Sequence, residues 1–167
     1  TVLLESMVAN KNAYGVDSNP LARLISKAKT TYIDPEILNK DLKDILEQAR
    51  QVSGIPMPSV NNIDIWFHPR IAKDLSKIVF VINQLSDEIR RDFFLVCFSN
   101  LVKKVSFADP RISVPVRLNP DRFINDPVQY KKVQEKINSL ITVDVFAKFD
   151  QICRDNILRI SLLKDIS

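Results

Sequence analysis

Glycine is the residue that this sequence most clearly lacks. The 167 residues include only Gly15 and Gly54, whereas an average protein has glycine at roughly 7 % of its positions. A loop that cradles a phosphate with backbone N–H groups needs several glycines close together. The sequence therefore excludes a glycine-rich phosphate loop within this chain, and it predicts mainly helical structure whose turns are made by proline and asparagine.

Histidine and cysteine are almost as scarce. His68 is the single histidine, so it supports neither a Ser/His/Asp triad nor a metal site, and helix capping beside Pro69 is a simpler role. Cys97 and Cys153 lie in apolar helical runs, which is typical of buried, reduced thiols. Two isolated cysteines have neither metal-ligand spacing nor a disulfide framework. The sequence predicts no bound metal.

Long apolar runs are missing as well. No run reaches the ~18 residues of a membrane span and no signal peptide is visible, so we expect a cytoplasmic protein without a membrane partner. Apolar residues nevertheless make up 46 % of the chain, which predicts a folded core and not disorder. The net charge of +4 is compatible with a nucleic-acid partner but does not require one.

The most informative stretch covers residues 12–21. It combines a short apolar strand that ends in Asp17 with a helix start, in which Asn19 is the N-cap and Pro20 the first helical residue. An apolar helical segment precedes it over residues 2–9. Helix, strand ending in Asp and helix form the second half of a nucleotide-binding βαβ unit, where the acid accepts hydrogen bonds from ribose hydroxyls. The alternative is that Asp17 only caps the turn before the next helix.

Helical periodicity dominates the rest of the chain. The charged side of the helix that begins at Asp34, including Asp41, is predicted to be solvated. Residues 55–62 form a proline-rich linker. The two most apolar helices are joined by a short turn, so they should form an antiparallel hairpin at the heart of the core. The spacing predicts helices over 19–31, from Asp34 to Gly54, over 69–85, over 88–105, and from Asp126 onwards with a break at 142–144.

A basic stretch follows the fourth of these helices, in a segment that prolines make extended or irregular. Cations on such a segment can reach phosphates, and arginine can read guanine edges. In the alternative interpretation, the two lysines complement a helix C-terminus and the arginines are only solvated. The candidate DNA-contacting residues are Lys103, Lys104, Arg111, Arg117 and Arg122.

Thr1-Val-Leu-Leu-Glu-Ser6, followed by Asn12-Ala-Tyr-Gly-Val-Asp-Ser-Asn-Pro-Leu-Ala-Arg-Leu-Ile-Ser-Lys-Ala-Lys-Thr30, resembles a segment of the DNA amino-methyltransferases, which use S-adenosylmethionine to methylate adenine N6 or cytosine N4. In that family a Gly-Ser-Gly-Thr turn leads into a helix that carries Leu-Glu, and the next strand ends Gly-Val-Asp-x-Asn-Pro-Leu-Ala. Val102-Lys-Lys-Val-Ser-Phe-Ala-Asp-Pro-Arg-Ile-Ser-Val-Pro-Val116 is similar to a segment that one branch of the family has between its cofactor and catalytic motifs.

The resemblance implies a mainly α fragment with a short β element. Residues 1–33 would be part of a class I, Rossmann-like α/β methyltransferase domain that binds S-adenosylmethionine, and residues 34–167 a helical insertion that orients DNA. An acid at the end of the second strand also occurs in NAD-binding Rossmann units, so the motif alone leaves that alternative open. The implied cofactor residues are Thr1 near the methionine carboxylate, Asp17 on the ribose, and Ser18, Asn19 and Pro20 around the adenine.

The family's catalytic element, Asp/Asn/Ser-Pro-Pro-aromatic, has no match here. Asn119-Pro120-Asp121-Arg122 has one proline and no aromatic residue, so the chain contains no catalytic residue and is expected to be inactive alone. We expect an internal fragment of a restriction–modification or solitary DNA methyltransferase, whose partners are DNA and the remainder of the polypeptide. The unpaired strand 12–17 is also expected to self-associate with a second copy.

An alternative outside the enzyme class remains open. In that interpretation the chain is a non-catalytic helical module that binds nucleic acid or a protein through residues 103–122. Salt-dependent DNA binding without any response to the cofactor would favour this module.

Overall fold

The computed structural model describes residues 2–112 and 114–164 and is mainly helical. Thr1, one of the predicted cofactor residues, lies outside the described residues. A 3₁₀ turn over Pro120–Phe123 lies between the sixth and seventh helices. The helices are α1 (Val2–Val8), α2 (Pro20–Lys29), α3 (Pro35–Gln51), α4 (Ile63–Trp66), α5 (Pro69–Ile82), α6 (Glu88–Val105), α7 (Pro127–Thr142) and α8 (Val145–Ser161).

The helices begin where polar capping residues and prolines predict. Asn19 Oδ1 accepts a hydrogen bond from the Leu21 N–H at 2.9 Å, and Pro20 is the first residue of α2. His68 caps α5, since its Nδ1 accepts from the Arg70 N–H at 3.3 Å. Each cap satisfies a backbone donor that the first helical turn leaves free. The predicted capping roles of Asn19 and His68 are confirmed.

The main core lies among α3, α5, α6 and α8. Their apolar faces meet in one buried cluster, in which Leu38, Phe94 and Phe149 have no exposed surface. The predicted pairing of α5 with α6 is confirmed, but the core extends further, because α8 packs on α3 as well as on α6. The buried thiols of Cys97 and Cys153 belong to this cluster, as their apolar surroundings indicated.

The prediction that the charged side of α3 is uniformly solvated is wrong at Asp41. This residue is only 9 % exposed, and both of its carboxylate oxygens accept from Arg90 Nη1, at 3.1 and 3.0 Å. The periodicity of α3 placed Asp41 among exposed charges, but the side chain of Arg90, from the first turn of α6, reaches it. A buried carboxylate requires such a partner.

A second, smaller core joins the segment after α6 to α7. It contains Phe107, Leu118, Val133 and Leu140. Arg70 of α5 links this part to the main core, because its Nη2 donates to the carbonyl oxygens of Ile141 and Val143 at 2.6 and 2.9 Å. The second core therefore holds the segment between α6 and α7 against α7, and Arg70 holds the end of α7 against α5.

The structure has no strand at residues 12–17, so that part of the predicted helix–strand–helix arrangement is wrong. Residues 11–17 form an irregular connection between α1 and α2, and the side chains of Tyr14 and Val16 are fully exposed. A strand is stable only when neighbouring strands pair with its N–H and C=O groups. Within the described residues the one β pairing is the isolated bridge between Ala108 and Arg117. Self-association through 12–17 stays a prediction.

Within the described residues, none of the helices is long and apolar enough to cross a membrane. The same part of the chain contains no group of three histidine, cysteine or acidic side chains placed to hold a metal ion.

Candidate functional site

An open cleft of about 830 Å³ lies between α1, residues 15–17 and α2. Asp17 and Pro20, two of the predicted cofactor residues, line it. Ser18 and Asn19 do not, although both are exposed beside it in sequence. The cleft falls within the ~300–1,000 Å³ range of small-molecule sites, so a nucleoside-sized ligand fits its volume.

Asp17 already has a local role in the cleft. Its Oδ1 accepts a hydrogen bond from the Asn19 N–H at 2.8 Å, which is the turn-capping role left open as the alternative. Oδ2 has no donor within hydrogen-bonding distance in the described part of the chain. The carboxylate is therefore oriented by the turn through Oδ1, while Oδ2 keeps its capacity to accept, and the two roles are compatible.

The far wall of the cleft is charged. Lys27 of α2 donates to Asp92 at 2.7 Å and to Glu88 at 2.9 Å, both on α6. The hydrogen bond to Asp92, followed by that to Glu88, raises the pKa of Lys27 above its ordinary value. These ion pairs connect the wall of the cleft to the main core, because α6 belongs to both.

Gly15 brings the irregular segment close to α1. A β-carbon at this position would lie 3.0 Å from Leu3 Cδ1, which is closer than side chains normally approach. Leu3 and Gly15 both line the cleft. The glycine therefore lets the backbone before Asp17 lie against α1.

A second site lies in the segment between α6 and α7. Its two arms run antiparallel: the Leu118 N–H donates to the Phe107 carbonyl at 2.8 Å, and the Asp109 N–H donates to the Val116 carbonyl at 2.7 Å. Phe107 and Leu118 are buried in the second core. The arms are therefore anchored, while residues 110–112, 114 and 115 between them are exposed.

Asp109 and Arg111 form a closed pair at this site. Asp109 Oδ1 accepts from Arg111 Nε at 2.9 Å, and Oδ2 accepts from Arg111 Nη2 at 2.7 Å. Oδ1 also accepts from the Arg111 backbone N–H at 3.0 Å. The side-chain bond from Arg111 lowers the pKa of Asp109 below its usual value, although burial acts against this.

Arg111, Arg117 and Arg122 surround one cavity of about 180 Å³, together with Asp109 and other residues. The structure thus brings three of the five predicted DNA-contacting residues together. Lys103 and Lys104 do not line this cavity. They lie exposed in the last turn of α6, where they complement the helix C-terminus as the alternative interpretation stated.

Aromatic rings support two of these guanidinium groups. The Arg111 Cζ lies 5.9 Å from the centre of the Phe123 ring, and the Arg117 Cζ lies 5.8 Å from the centre of the Phe107 ring. Sequence reasoning missed Asp109 and both rings. The pattern Asp-Pro-Arg held a signal for Asp109, since Asp commonly accepts from the backbone N–H two residues later.

The chain is similar in sequence to a Type II methyltransferase. That relative is M.MvaI of Kocuria varians, which is 31 % identical over 115 residues. The match covers 64 % of this chain and 25 % of the relative, so this chain spans about a quarter of the length of the methyltransferase it matches.

No protein-family model matches the chain. No solved structure matches it either.

Proposed function

We propose that this chain is a segment of an S-adenosylmethionine-dependent DNA methyltransferase that methylates an exocyclic amino group of adenine or cytosine. The observation that supports this most is the 31 % identity to a Type II methyltransferase over 64 % of the chain. The motif Gly15-Val-Asp-Ser-Asn-Pro-Leu-Ala22 adds to it, because Gly15, Asp17 and Pro20 line an open cleft. The catalytic residues would lie elsewhere in the complete polypeptide.

Residues 1–33 would provide part of the cofactor site. Asp17 lines the cleft and its Oδ2 can accept from a ribose hydroxyl, while the apolar ring of Pro20 also lines the cleft. Ser18 and Asn19 would border the adenine, and Thr1 would lie near the methionine carboxylate. S-adenosylmethionine supplies the methyl group when bound, and the role of these residues is to hold and orient it.

Residues 34–167 would form the helical region that orients DNA. The exposed cations Lys103 and Lys104 at the end of α6, and the three arginines that follow, are the candidate contacts. Cations of this kind position a protein on the phosphate backbone, while arginine can also contact base edges. The remainder of the polypeptide would complete both the cofactor site and the catalytic site.

The second candidate function is a non-catalytic module that binds nucleic acid or a protein. One observation favours it: the cavity lined by Arg111, Arg117 and Arg122 is built on α7 and the second core, and shares no lining residue with the Asp17 cleft. Nucleic-acid binding without any cofactor response would support this candidate.

The first prediction concerns Asp17. In the complete polypeptide, Asp17→Ala should weaken S-adenosylmethionine binding about 10- to 100-fold, because hydrogen bonds to a charged acceptor contribute roughly 1.5–3 kcal/mol. Isothermal titration calorimetry measures this directly. Asp34→Ala is the matched control, since Asp34 also accepts a backbone N–H two residues later, at 2.8 Å, but does not line the cleft. If the Asp17 variant and the parent bind S-adenosylmethionine with equal affinity, Asp17 only caps the turn.

The second prediction concerns the gene. Sequencing the coding region on both sides of this chain should reveal codons for a glycine-rich turn before Thr1 and for a Pro-Pro-aromatic element after Ser167. These are the two motifs that the family resemblance requires and that this chain does not contain. A coding region with neither element would exclude the methyltransferase proposal and leave the binding module.

A further inference from the structure

Asp109 is an unexpected residue at a site proposed to attract phosphates. It lines the same cavity as three arginines, and only 9 % of its side chain is exposed. A carboxylate repels a phosphate, so by its charge alone Asp109 should lower the affinity of the site for phosphate. Its geometry gives it a different role.

The bidentate pairing fixes the Arg111 guanidinium without using all of its donors. Asp109 takes Nε and one hydrogen of Nη2. A guanidinium has five N–H donors, so the two hydrogens of Nη1 and the second hydrogen of Nη2 remain. The Arg111 side chain is 55 % exposed, and within the described residues its guanidinium donates only to Asp109, so the remaining donors are available to a ligand.

The rings of Phe107 and Phe123 add a second constraint. Each lies beneath an arginine of the cavity, at 5.8 Å from Arg117 and 5.9 Å from Arg111. Phe107 is buried in the second core and Phe123 packs against it. A long side chain that is already ordered loses less conformational entropy when it binds a ligand. Two of the three cations are thus held in place before any ligand arrives.

The charge and size of the cavity define its ligand. Arg111, Arg117 and Arg122 contribute three positive charges and Asp109 one negative charge, so an excess of positive charge surrounds a volume of about 180 Å³. That volume suits a single phosphate group and is small for a nucleoside. Planar guanidinium groups match the oxygens of a phosphate in geometry as well as in charge.

We infer that this cavity, the arginine pocket, binds one backbone phosphate of a nucleic acid strand, and that Asp109 is a positioning residue that holds Arg111 for it. The inference rests on the proposed function for its choice of nucleic acid. It adds to that function a specific phosphate site and a role for Asp109, a negative residue at a site that binds an anion.

Asp109→Asn tests the inference, because net charge and positioning predict opposite results. The asparagine Oδ1 can still accept from the Arg111 backbone N–H and from Nε, but the amide nitrogen that replaces Oδ2 cannot accept from Nη2, and the negative charge is lost. We expect the affinity of the 167-residue chain for a DNA duplex to fall about tenfold although its net charge rises. The slope of log K against log salt concentration should become shallower by about one phosphate contact. Fluorescence anisotropy over a salt series measures both quantities.

Asp121→Asn is the matched control. Asp121 lies exposed in the 3₁₀ turn of the same segment and makes no side-chain pair in the described residues. Its replacement adds the same charge without releasing Arg111, so the affinity should stay equal or rise slightly. Unchanged or tighter binding by the Asp109 variant as well would overturn the inference.

A double-mutant cycle separates positioning from damage to the fold. Arg111→Gln should weaken binding about as much as Asp109→Asn, and the double variant should bind like Arg111→Gln alone. If Asp109→Asn instead lowers affinity further in the Arg111→Gln background, Asp109 acts on the fold and not through Arg111, and the inference fails.

Two further outcomes distinguish a DNA phosphate from free inorganic phosphate as the ligand. Binding of inorganic phosphate without binding of the duplex would overturn the nucleic-acid assignment, and so would the absence of duplex binding at low salt. Neither result bears on S-adenosylmethionine binding, which the Asp17 experiment measures. Conversely, if Asp17 proves not to bind the cofactor, the arginine pocket still stands, provided that Asp109→Asn weakens DNA binding as expected.

Discussion

Phe149→Ala should lower the free energy of unfolding by about 3–5 kcal/mol, which is the usual cost of truncating a buried aromatic side chain. Phe149 lies on α8 and has no exposed surface. Helix α8 packs on α3, α5 and α6, so the cavity left by the ring would open where four helices meet. Since a typical domain is stable by only 5–15 kcal/mol, roughly a fifth or more of the total would be lost.

Urea denaturation followed by circular dichroism measures this loss. Phe80→Ala is the matched control, because Phe80 is also on a core helix, α5, but is 41 % exposed. Its truncation should cost well under half as much. Equal losses for the two variants would mean that α8 does not lie inside the core as described.

Arg90→Met should lower the free energy of unfolding by about 2–3 kcal/mol at neutral pH. Removing one partner of a buried ion pair leaves an uncompensated charge, which typically costs 3–5 kcal/mol, and the partial exposure of Arg90, 28 % of its side chain, reduces that cost. The charge left behind is that of Asp41, whose side chain is 11 % exposed.

The destabilisation of the Arg90 variant should shrink as the pH falls. Burial already raises the pKa of Asp41 above its ordinary value, and Arg90 opposes that rise. Without Arg90 the pKa of the folded state rises further above that of the unfolded state. For such a group, stability is greatest below the unfolded-state pKa and is lost as the pH rises through the folded-state pKa. The difference from the parent is therefore largest at neutral pH and smaller in mild acid.

Urea denaturation across this pH range tests the effect. Adding Asp41→Asn to Arg90→Met should recover much of the stability at neutral pH and remove the pH dependence of the difference. Arg23→Met controls for the loss of a positive charge, since the Arg23 side chain is exposed and makes no ion pair within the described residues. A loss for Arg90→Met that does not vary with pH would show that the Asp41 carboxylate is not its cause.

Much of the helical layout follows from local sequence. Asn19, Asp34, His68, Asp87 and Asp126 cap helices where their side chains can accept from the first turn. Such signals act over three or four residues, so they operate independently of the rest of the fold. The helix ends were less well predicted: α2 ends at Lys29 and α5 at Ile82, earlier than the apolar pattern indicated.

The candidate sites were predicted unevenly. The pattern around Gly15 led to Asp17 and Pro20, which do line one cleft, and basic composition led to Arg111, Arg117 and Arg122, which do meet at one cavity. The Asp-Pro-Arg pattern held a local signal for the pairing of Asp109 with Arg111. The contacts of the Phe107 and Phe123 rings with the arginines had no such signal, because they depend on how the segment folds back on itself.

The strand predicted at 12–17 shows most clearly what local sequence cannot predict. Its apolar residues and terminal acid indicated a strand, but a strand forms only when its backbone groups find partners in a sheet. The described residues provide none, so the segment is irregular. The pairing of Asp41 has the same origin, since its partner Arg90 lies on a different helix, 49 positions further along the chain.

The sequence by itself determined where helices begin, which of their faces are apolar, and which residue types are too scarce for a triad or a phosphate loop. Those properties depend on interactions between residues a few positions apart. Only the tertiary structure decided which charges are buried, whether residues 12–17 pair, and which cations share a pocket. These depend on contacts between residues distant in the chain, such as Asp41 with Arg90, 49 positions apart, and such contacts have no signature in local sequence.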